Sequence, residues 1–409
     1  MEENRPNEDS ATSRTRHICV VSETYHPEIN GVTLTLGHLV NGLRQRGHEV
    51  SIVRPRQPGD VAAENDVTLV KGLPLPGYLG LQFGLPADGM LKALWMRRRP
   101  DVIYVATEGP LGWSAVSVAR RLSIPAFSGF HTNFHSYSRH YRMGWLAKFG
   151  FTYLRWFHNR SQGTFVPSPD LRELLIARGF RNVGCVGRGV DSDLFNPARR
   201  SDELRRRWGV NSDEPVIAYI GRLAGEKNLG LAIEAYRAIR QNHPSLRFVM
   251  VGDGPLRQAL QAEHRDIIFS GLQKGEQLAT HYASADIFLF PSETETFGNV
   301  VLEGMASGLG VVAYDYAAAR SHIIDGETGV LAPFGDAKAF VAAAVELANQ
   351  APTLRKIRRQ AREYSASIGW SQVVERFEAL LSLDSDRYQS AIKPMVRRGN
   401  LAAAARGRV

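Results

Sequence analysis

Apolar runs that read as strands alternate with amphipathic stretches that read as helices, and along this chain the alternation starts twice. In the first half the strand-like runs are RHICVVS (16–22), HEVSIVRP (48–55), DVIYVAT (101–107), IPAFSGFHT (124–132), GTFVPS (163–168) and NVGCVGRG (182–189). Between the first two, residues 30–47 place Leu36, Leu39, Val40 and Leu43 at helical spacing, with Gly47 as the stop. Helices are also expected near 111–122, 143–161 and 169–180. The second half restarts with PVIAYIG (215–221) and continues through LRFVMVGDG (246–254), DIIFSG (266–271), DIFLFPS (286–292) and LGVVAYD (309–315). A helix after the first of these carries Leu229, Ile233, Tyr236 and Ile239 on one face. Continuous apolar strands alternating with helices argue for parallel sheets covered on both faces. The chain is therefore read as α/β, with two doubly wound, Rossmann-like domains. Residues 1–16 read as a disordered tail, 17–195 as the first domain, 196–214 as a charged connection, 215–365 as the second domain, and 384–409 as a basic tail.

Composition narrows the classes. Hydrophobic residues make up 44% and charged residues 22%, which excludes a mainly disordered chain. No uncharged apolar run reaches the roughly 18 residues that span a bilayer, and the polar start MEENRPNEDSATSRTR does not read as a signal peptide. Cys19 and Cys185 are too few for a disulfide scaffold or a zinc cage, and read as reduced, packed thiols in a cytosolic protein. Lys and Arg exceed Asp and Glu by nine, so an anionic partner is expected: nucleic acid, membrane surface or phosphate.

In open α/β sheets, ligands bind at the carboxyl ends of the strands, and the loops there are unusual. SETYHPEINGV follows the first strand, with Gly31 just before a helix N-terminus. A glycine there lets backbone N–H groups approach a phosphate; it reads equally as a turn glycine. The loop lacks the G-x-G-x-x-G pattern, which argues against NAD. In the second half, GRLAGEKN brings Arg222 and Lys227 onto a strand-end loop. Two cations there suit a diphosphate, although such a pair taken alone reads more readily as solvated charge. The most informative segment is FPSETETFGNVVLEGMASG. Glu295 falls on a strand-end loop, Phe297, Gly298 and Asn299 cross into a helix, and Glu303 lies one to two turns inside it. Both carboxylates can accept hydrogen bonds from hydroxyls, the first from a sugar and the second from a ribose. His131 ends a strand, facing where a second substrate would sit. His131 and His135 have metal-like spacing, but no acidic ligand lies nearby, so zinc is not expected. Asp191-Ser192-Asp193 reads as turn chemistry and not as a metal site.

Together, PEINGV, FHTNF, VPS, GVD with LFNP, GRLAGEKN, VGDGP and ETFGNVVLEGMASG resemble the retaining nucleotide-sugar glycosyltransferases of the GT-B fold, specifically glycosyltransferase family 4. The resemblance spans roughly residues 17–380. HTNFHSYSRHY and VVAYDYAAAR look most like bacterial mannosyl-, glucosyl- or glucuronosyl-transferases acting on lipids, and like sulfoquinovosyl-diacylglycerol synthases. It implies an acceptor-side first domain and a nucleotide-sugar-binding second domain with a cleft between them. It also implies a C-terminal helix (366–383, with Trp370, Val373, Val374, Phe377 and Leu380) crossing back to the first domain. Gly31 would approach the donor phosphate, and Arg222 and Lys227 would neutralise the diphosphate. Glu295 would bind the transferred sugar with Phe297, Gly298 and Asn299, Glu303 would hold the ribose, and Leu272 would border the base. His131 would contact the sugar and help stabilise the charged transition state. The donor would be a UDP-sugar or GDP-mannose, with no metal and no cofactor. Tyr314-Asp315-Tyr316-Ala317-Ala318 departs from the glycine-rich stretch of many relatives.

From Gly109 to Pro169 there is no Asp or Glu, while aromatic and basic residues interleave from Tyr137 to Arg160. Arg139, Arg142, Trp145, Lys148, Arg155 and Trp156 are the candidate contacts with an anionic membrane surface. An aromatic stripe packed in the core with a solvated basic edge fits the same pattern, and a nucleic-acid groove fits it less well. The expected protein is a peripheral enzyme on the inner face of the cytoplasmic membrane. It would move a hexose to a lipid such as diacylglycerol or a glycolipid, closing about the 191–215 connection, with nucleic acid not expected as a partner. A soluble or polysaccharide acceptor is the alternative within this class. A GT-B-fold sugar-nucleotide epimerase and a basic nucleic-acid-binding protein are more distant ones.

Overall fold

A computed structural model describes residues 15–26, 31–57, 60, 66–74, 82–131, 144–210, 214–294 and 299–382, with side chains 144–149 excepted. The first half runs β1 (His17–Val21), α1 (Gly31–Gln45), β2 (Glu49–Pro55), β3 (Val67–Val70), β4 (Gly72–Pro74), β5 (Gln82–Gly84), α2 (Asp88–Arg97), β6 (Val102–Val105), α3 (Pro110–Arg121) and β7 (Ala126–Gly129). It continues with α4 (Gly144–His158), β8 (Gly163–Val166), α5 (Pro169–Ala177) and β9 (Val183–Cys185). After a short helix, α6 (Asp202–Arg207), come β10 (Val216–Ile220), α7 (Leu229–Asn242), β11 (Arg247–Val251), α8 (Arg257–Glu263), β12 (Ile268–Gly271), α9 (Gly275–Ser284) and β13 (Ile287–Phe290). The last elements are α10 (Asn299–Ala306), β14 (Gly310–Tyr314), α11 (Ala317–His322), β15 (Val330–Ala332), α12 (Ala337–Asn349), α13 (Ala351–Ala366) and α14 (Trp370–Leu380).

Two parallel sheets result, in the orders β3-β2-β1-β6-β7-β8-β9 and β12-β11-β10-β13-β14-β15. The strands are continuous apolar runs because both faces are covered: β6, β7, β8, β10, β13 and β14 are buried at every position. α1 presents its Leu36, Leu39, Val40 and Leu43 stripe to the first sheet and ends at Gly47, whose φ of +85° suits a residue without a Cβ. Ser168 starts α5 by accepting a hydrogen bond from the Leu171 N–H, with Pro169 at the first helical position. In each sheet the order reverses once, between β1 and β6 in the first and between β10 and β13 in the second. These reversals leave a crevice at the carboxyl ends, where α/β sheets bind ligands.

Of residues 196–214, expected as a connection, 196–210 lie against the second sheet. Phe195, Trp208 and Val210 are buried in its core. Arg362 of α13 donates to the Ser192, Phe195 and Ala306 carbonyls. Asp286, at the start of β13, accepts from Arg200, Arg205 and Arg358 and from the Val216 N–H. Within this stretch Arg200 and Arg205 turn inward to one buried carboxylate, while Asp202, Glu203, Arg206 and Arg207 stay exposed. The chain instead passes between the sheets at two adjoining points, where the Val190 N–H donates to the Ile368 carbonyl at 3.0 Å. α14 then lies on the first sheet, with Val373, Val374, Phe377 and Leu380 in the same core as Ile18, Tyr104 and Phe165. This is the GT-B arrangement.

Replacing Asp286 should be costly because Arg205, whose side chain is 1% exposed, would be left buried without its carboxylate. Asp286→Ala is expected to lower unfolding free energy by about 3–5 kcal/mol in a urea titration. A change under ~1 kcal/mol would show that the arginine cluster carries no weight.

Candidate active site

The second sheet's crevice gathers the cationic loop. Arg222 follows β10, and Lys227 ends the short turn that precedes α7. The Lys227 ammonium donates to the Thr294 carbonyl at 2.9 Å and to Ser292 Oγ at 3.3 Å, across the gap between β10 and β13. Thr294 Oγ1 returns a bond to the Glu226 carbonyl. The two strand-end loops are therefore laced together, which places the segment entering Glu295 beside Lys227. The arginine is the freer partner: its side chain is 67% exposed and lies 3.7 Å from Glu226, so it can swing onto an anion. The VGDGP glycine Gly252 supports this loop from behind. A Cβ there would meet the Gly221 carbonyl oxygen at 1.9 Å, so only glycine allows the β10 and β11 loops to approach this closely.

Gly31 is the first residue of α1 and Asn299 the first of α10. Both helix N-termini belong to one interdomain region. A cavity of about 120 Å³ is lined by Leu34 and His38 of α1, Asp191, Trp370, and Asn299 and Glu303 of α10. Glu303 is half-buried and accepts from the Tyr282 hydroxyl at 3.0 Å. Burial pushes its carboxyl up to about 7, and the Tyr282 bond opposes this only in part. Leu272 is 61% exposed, directly after Gly271, whose φ is +71°. Glu295, Phe297 and Gly298 lie outside the described residues.

On the facing side, His131 lies two residues past β7, with its Nε2 3.0 Å from the Tyr104 hydroxyl. Burial, reinforced by the nearby Arg188 charge, lowers its pKa to about 3. The imidazole is neutral at physiological pH, so it can offer a hydrogen bond to a sugar hydroxyl but no positive charge to a transition state.

Two residues carry more of this site than the sequence indicated. Arg188, in the segment leaving β9, is 3% exposed. Its Nη1 donates to the Gly31 carbonyl at 3.0 Å and also bonds the Thr35 hydroxyl, fixing the first turn of α1 from 157 residues away. It stood in the quoted strand NVGCVGRG, where nothing distinguished it from a surface arginine. The other is Glu23, which lies two residues beyond β1. Its signal was its place at the end of the first strand, hidden beside the more conspicuous glycine loop. Asp191, by contrast, behaves as the sequence suggested: its Oδ1 accepts from the Asp193 and Leu194 N–H groups in a turn.

Of the surface residues, Arg155 is exposed on α4 and Trp156 is 43% exposed. Trp145 and Lys148 lie on the same helix with side chains outside the description, and Arg139, Arg142, His135 and the 384–409 tail lie outside it altogether.

Each sheet thus carries a crevice at its carboxyl ends, and the cavity at Glu303 lies between them. Residues 29–194 match the model described as Glycosyltransferase Family 4, and residues 200–364 match the model described as Glycosyl transferases group 1. A GDP-mannose-dependent alpha-mannosyltransferase of Mycobacterium tuberculosis is 35% identical, covering 78% of this chain and 84% of its own. An alpha-monoglucosyldiacylglycerol synthase of Acholeplasma laidlawii is 26% identical over 76% of this chain and 84% of its own. Among solved structures, Anabaena Alr3699/HepE in complex with UDP superposes with a TM-score of 0.71 at 18% identity, covering 89% of this chain and 99% of that one, which speaks for the fold. The chain belongs to glycosyltransferase family 4.

The Glu303 environment gives a signed pH test. Its folded pKa, about 7, stands above the ordinary 4.5, so its contribution to stability is present at low pH and is lost as pH rises through 7. Glu303→Gln should match the parent near about pH 4 and exceed it by ~1–2 kcal/mol near about pH 8 in thermal unfolding. The same variant should bind nucleotide diphosphate more weakly. A constant difference across the pH range would remove the buried-carboxyl account.

Proposed function

We propose that this enzyme moves a hexose, with retention, from a UDP-sugar or GDP-mannose to a membrane lipid alcohol such as diacylglycerol or a glycolipid. It would work from the inner face of the cytoplasmic membrane. The observation that carries the reading is the Lys227 lacing of the two loops at the second sheet's crevice, with Arg222 exposed beside it. As the bond from the sugar carbon to the diphosphate breaks, negative charge builds on the leaving phosphate. Two cations and the helix N-termini at Gly31 and Asn299 would hold that charge without a metal ion. The acceptor oxygen then attacks the face the leaving group vacates. No protein nucleophile is called for, unlike in the two-carboxylate retaining glycosidases. Glu295 with Phe297 and Gly298 would hold the sugar, Glu303 the ribose, and Leu272 would border the base. His131 would orient a sugar hydroxyl as a neutral partner.

The lipid acceptor draws support from the name of the Acholeplasma relative, and the choice of donor from the mannosyltransferase relative and the UDP-bound structure. No helix among the described residues is long and apolar enough to cross a membrane. Membrane contact would fall to the basic-aromatic helix, where Trp156 stacks on Trp113 at 4.1 Å with the Arg160 guanidinium over its ring at 4.4 Å. A tryptophan partly exposed beside cations suits the headgroup level of an anionic surface.

Calorimetry with UDP and GDP tests the donor site. One nucleotide should bind, and Lys227→Ala should weaken it at least roughly tenfold, the loss of a charge-assisted phosphate contact. Equal binding by the parent and the variant would sink the site assignment. For the membrane, the protein should float with vesicles containing an anionic lipid but not with neutral ones. Arg155→Glu combined with Trp156→Ala should abolish flotation. Failure of the parent to float would leave the soluble-acceptor reading.

A further inference from the structure

α1 buries Leu36, Leu39, Val40 and Leu43 against the first sheet, and a second face of the same helix meets the passage between the sheets. That face is Gly31, Thr35, His38 and Gly42, which recur at the spacing of one helix side. The chain returning into α14 covers its later half. A Cβ on Gly42 would strike the Val374 side chain, and the His38 ring stacks on Trp370 with centroids 4.2 Å and planes 8° apart. The chain leaving β9 takes the earlier half. Arg188 stands two residues before Val190, whose N–H bonds the Ile368 carbonyl. Its Nη1 reaches the Gly31 carbonyl at 3.0 Å and the Thr35 hydroxyl. Thr35 Oγ1 itself donates to the Gly31 carbonyl at 2.8 Å, so the three groups form one closed set of bonds.

This set is shielded from water. Arg188 and Thr35 are 3% and 4% exposed. A hydrogen bond from a charged group is worth about 1.5–3 kcal/mol, more than a neutral one. On the other side of the same turn, Thr33 Oγ1 lies 3.2 Å from Thr24 Oγ1, just beyond β1. The first turn of α1 is therefore held from both flanks, by the exit of β1 and by the segment leaving β9. Helix ends otherwise fray. The N–H groups of such a turn act on a phosphate only at hydrogen-bond distance, and a misplacement of about 1 Å can cost as much as roughly a hundredfold.

We infer that Arg188 is a positioning residue for the donor: through the Gly31 carbonyl and the Thr35 hydroxyl it ties the first turn of α1 to the passage between the sheets, and so sets that turn against the phosphate that bears the sugar. The inference rests on the transferase reading above, in which the Gly31 terminus faces the leaving phosphate. Arg188 acts through the backbone of Gly31, while Arg222 and Lys227 meet the diphosphate from the second sheet. The passage and the α1 terminus are then one mechanical unit, coupled by named contacts along one helix face.

Calorimetry on the full-length protein tests this, comparing UDP with UMP and GDP with GMP. Within each pair the diphosphate adds the phosphate that carries the sugar in the donor. Arg188→Met should weaken diphosphate binding at least roughly tenfold and leave the monophosphate within about twofold. Thr35→Val leaves the guanidinium in place and should produce a smaller loss, again on the diphosphate alone. The double variant should bind no more weakly than Arg188→Met, because both residues act through one turn. Equal losses on monophosphate and diphosphate would reduce Arg188 to a brace for the domain and overturn the inference, as would additive losses in the double variant. If Arg188→Met does not fold, Thr35→Val decides alone, and parent-strength diphosphate binding by that variant overturns the inference. Where Lys227→Ala weakens binding but the Arg188 and Thr35 variants match the parent, only this inference fails. If the parent binds no diphosphate, the transferase reading fails and the inference falls with it.

Discussion

Everything in this molecule that lies between the two sheets depends on one crossing of the chain over itself. Residues 186–190 leave the first sheet and residues 367–370 return to it, and they touch along the way. The Val190 N–H bonds the Ile368 carbonyl, and a Cβ on Gly189 would strike the Trp370 backbone nitrogen at 2.7 Å. Because Gly189 has no side chain, the outgoing and returning strands can share one narrow waist. Arg188 leans from that waist onto the first turn of α1, while Asp191 and Trp370 line the cavity that Glu303 and Asn299 close from the other side. The first turn of α1 and the start of α10 are thus referenced to the same few residues.

Charge is divided between the two sides of the cleft in a consistent manner. The second sheet offers cations that are exposed or lightly tethered, as with Arg222. The first sheet offers groups whose charge has been suppressed by burial: His131 lowered to about 3 and Glu23 raised to about 7. Desolvation disfavours whichever form is charged, so a base and an acid move in opposite directions from one cause. The result suits a reaction in which negative charge develops at the leaving phosphate and an uncharged hydroxyl must be held nearby.

Much of the fold was legible because parallel sheets write themselves into sequence as apolar runs. β1, β2, β6, β7 and β8 fall inside the stretches that periodicity marks, and α1 and α3 fall within a residue or two of theirs. The short strands β3 to β5 were not legible: four residues or fewer, partly exposed, they lack a pattern long enough to read. Residues 196–214 misled for a different reason. Sequence shows that arginines are charged, but not that Arg200 and Arg205 turn inward to Asp286, a partner fixed only by tertiary packing. Motif spacing put Lys227 on a strand-end loop, Glu303 inside a helix and His131 just past a strand, which is where the fold has them. Glu23 and Arg188 were invisible because their meaning lies in contacts with Leu111 and Gly31, far away in sequence.

The returning helix has a consequence for how the chain is made. The first sheet's strands are complete once β9 has been synthesised, yet part of its apolar face is covered only by Val373, Val374, Phe377 and Leu380. On the ribosome those residues emerge after the entire second sheet. The first domain must therefore wait, with a strip beside α1 uncovered, while its neighbour is being translated. Vectorial synthesis normally lets the leading domain finish first; here the leading domain finishes last, when α14 seals its opening strands.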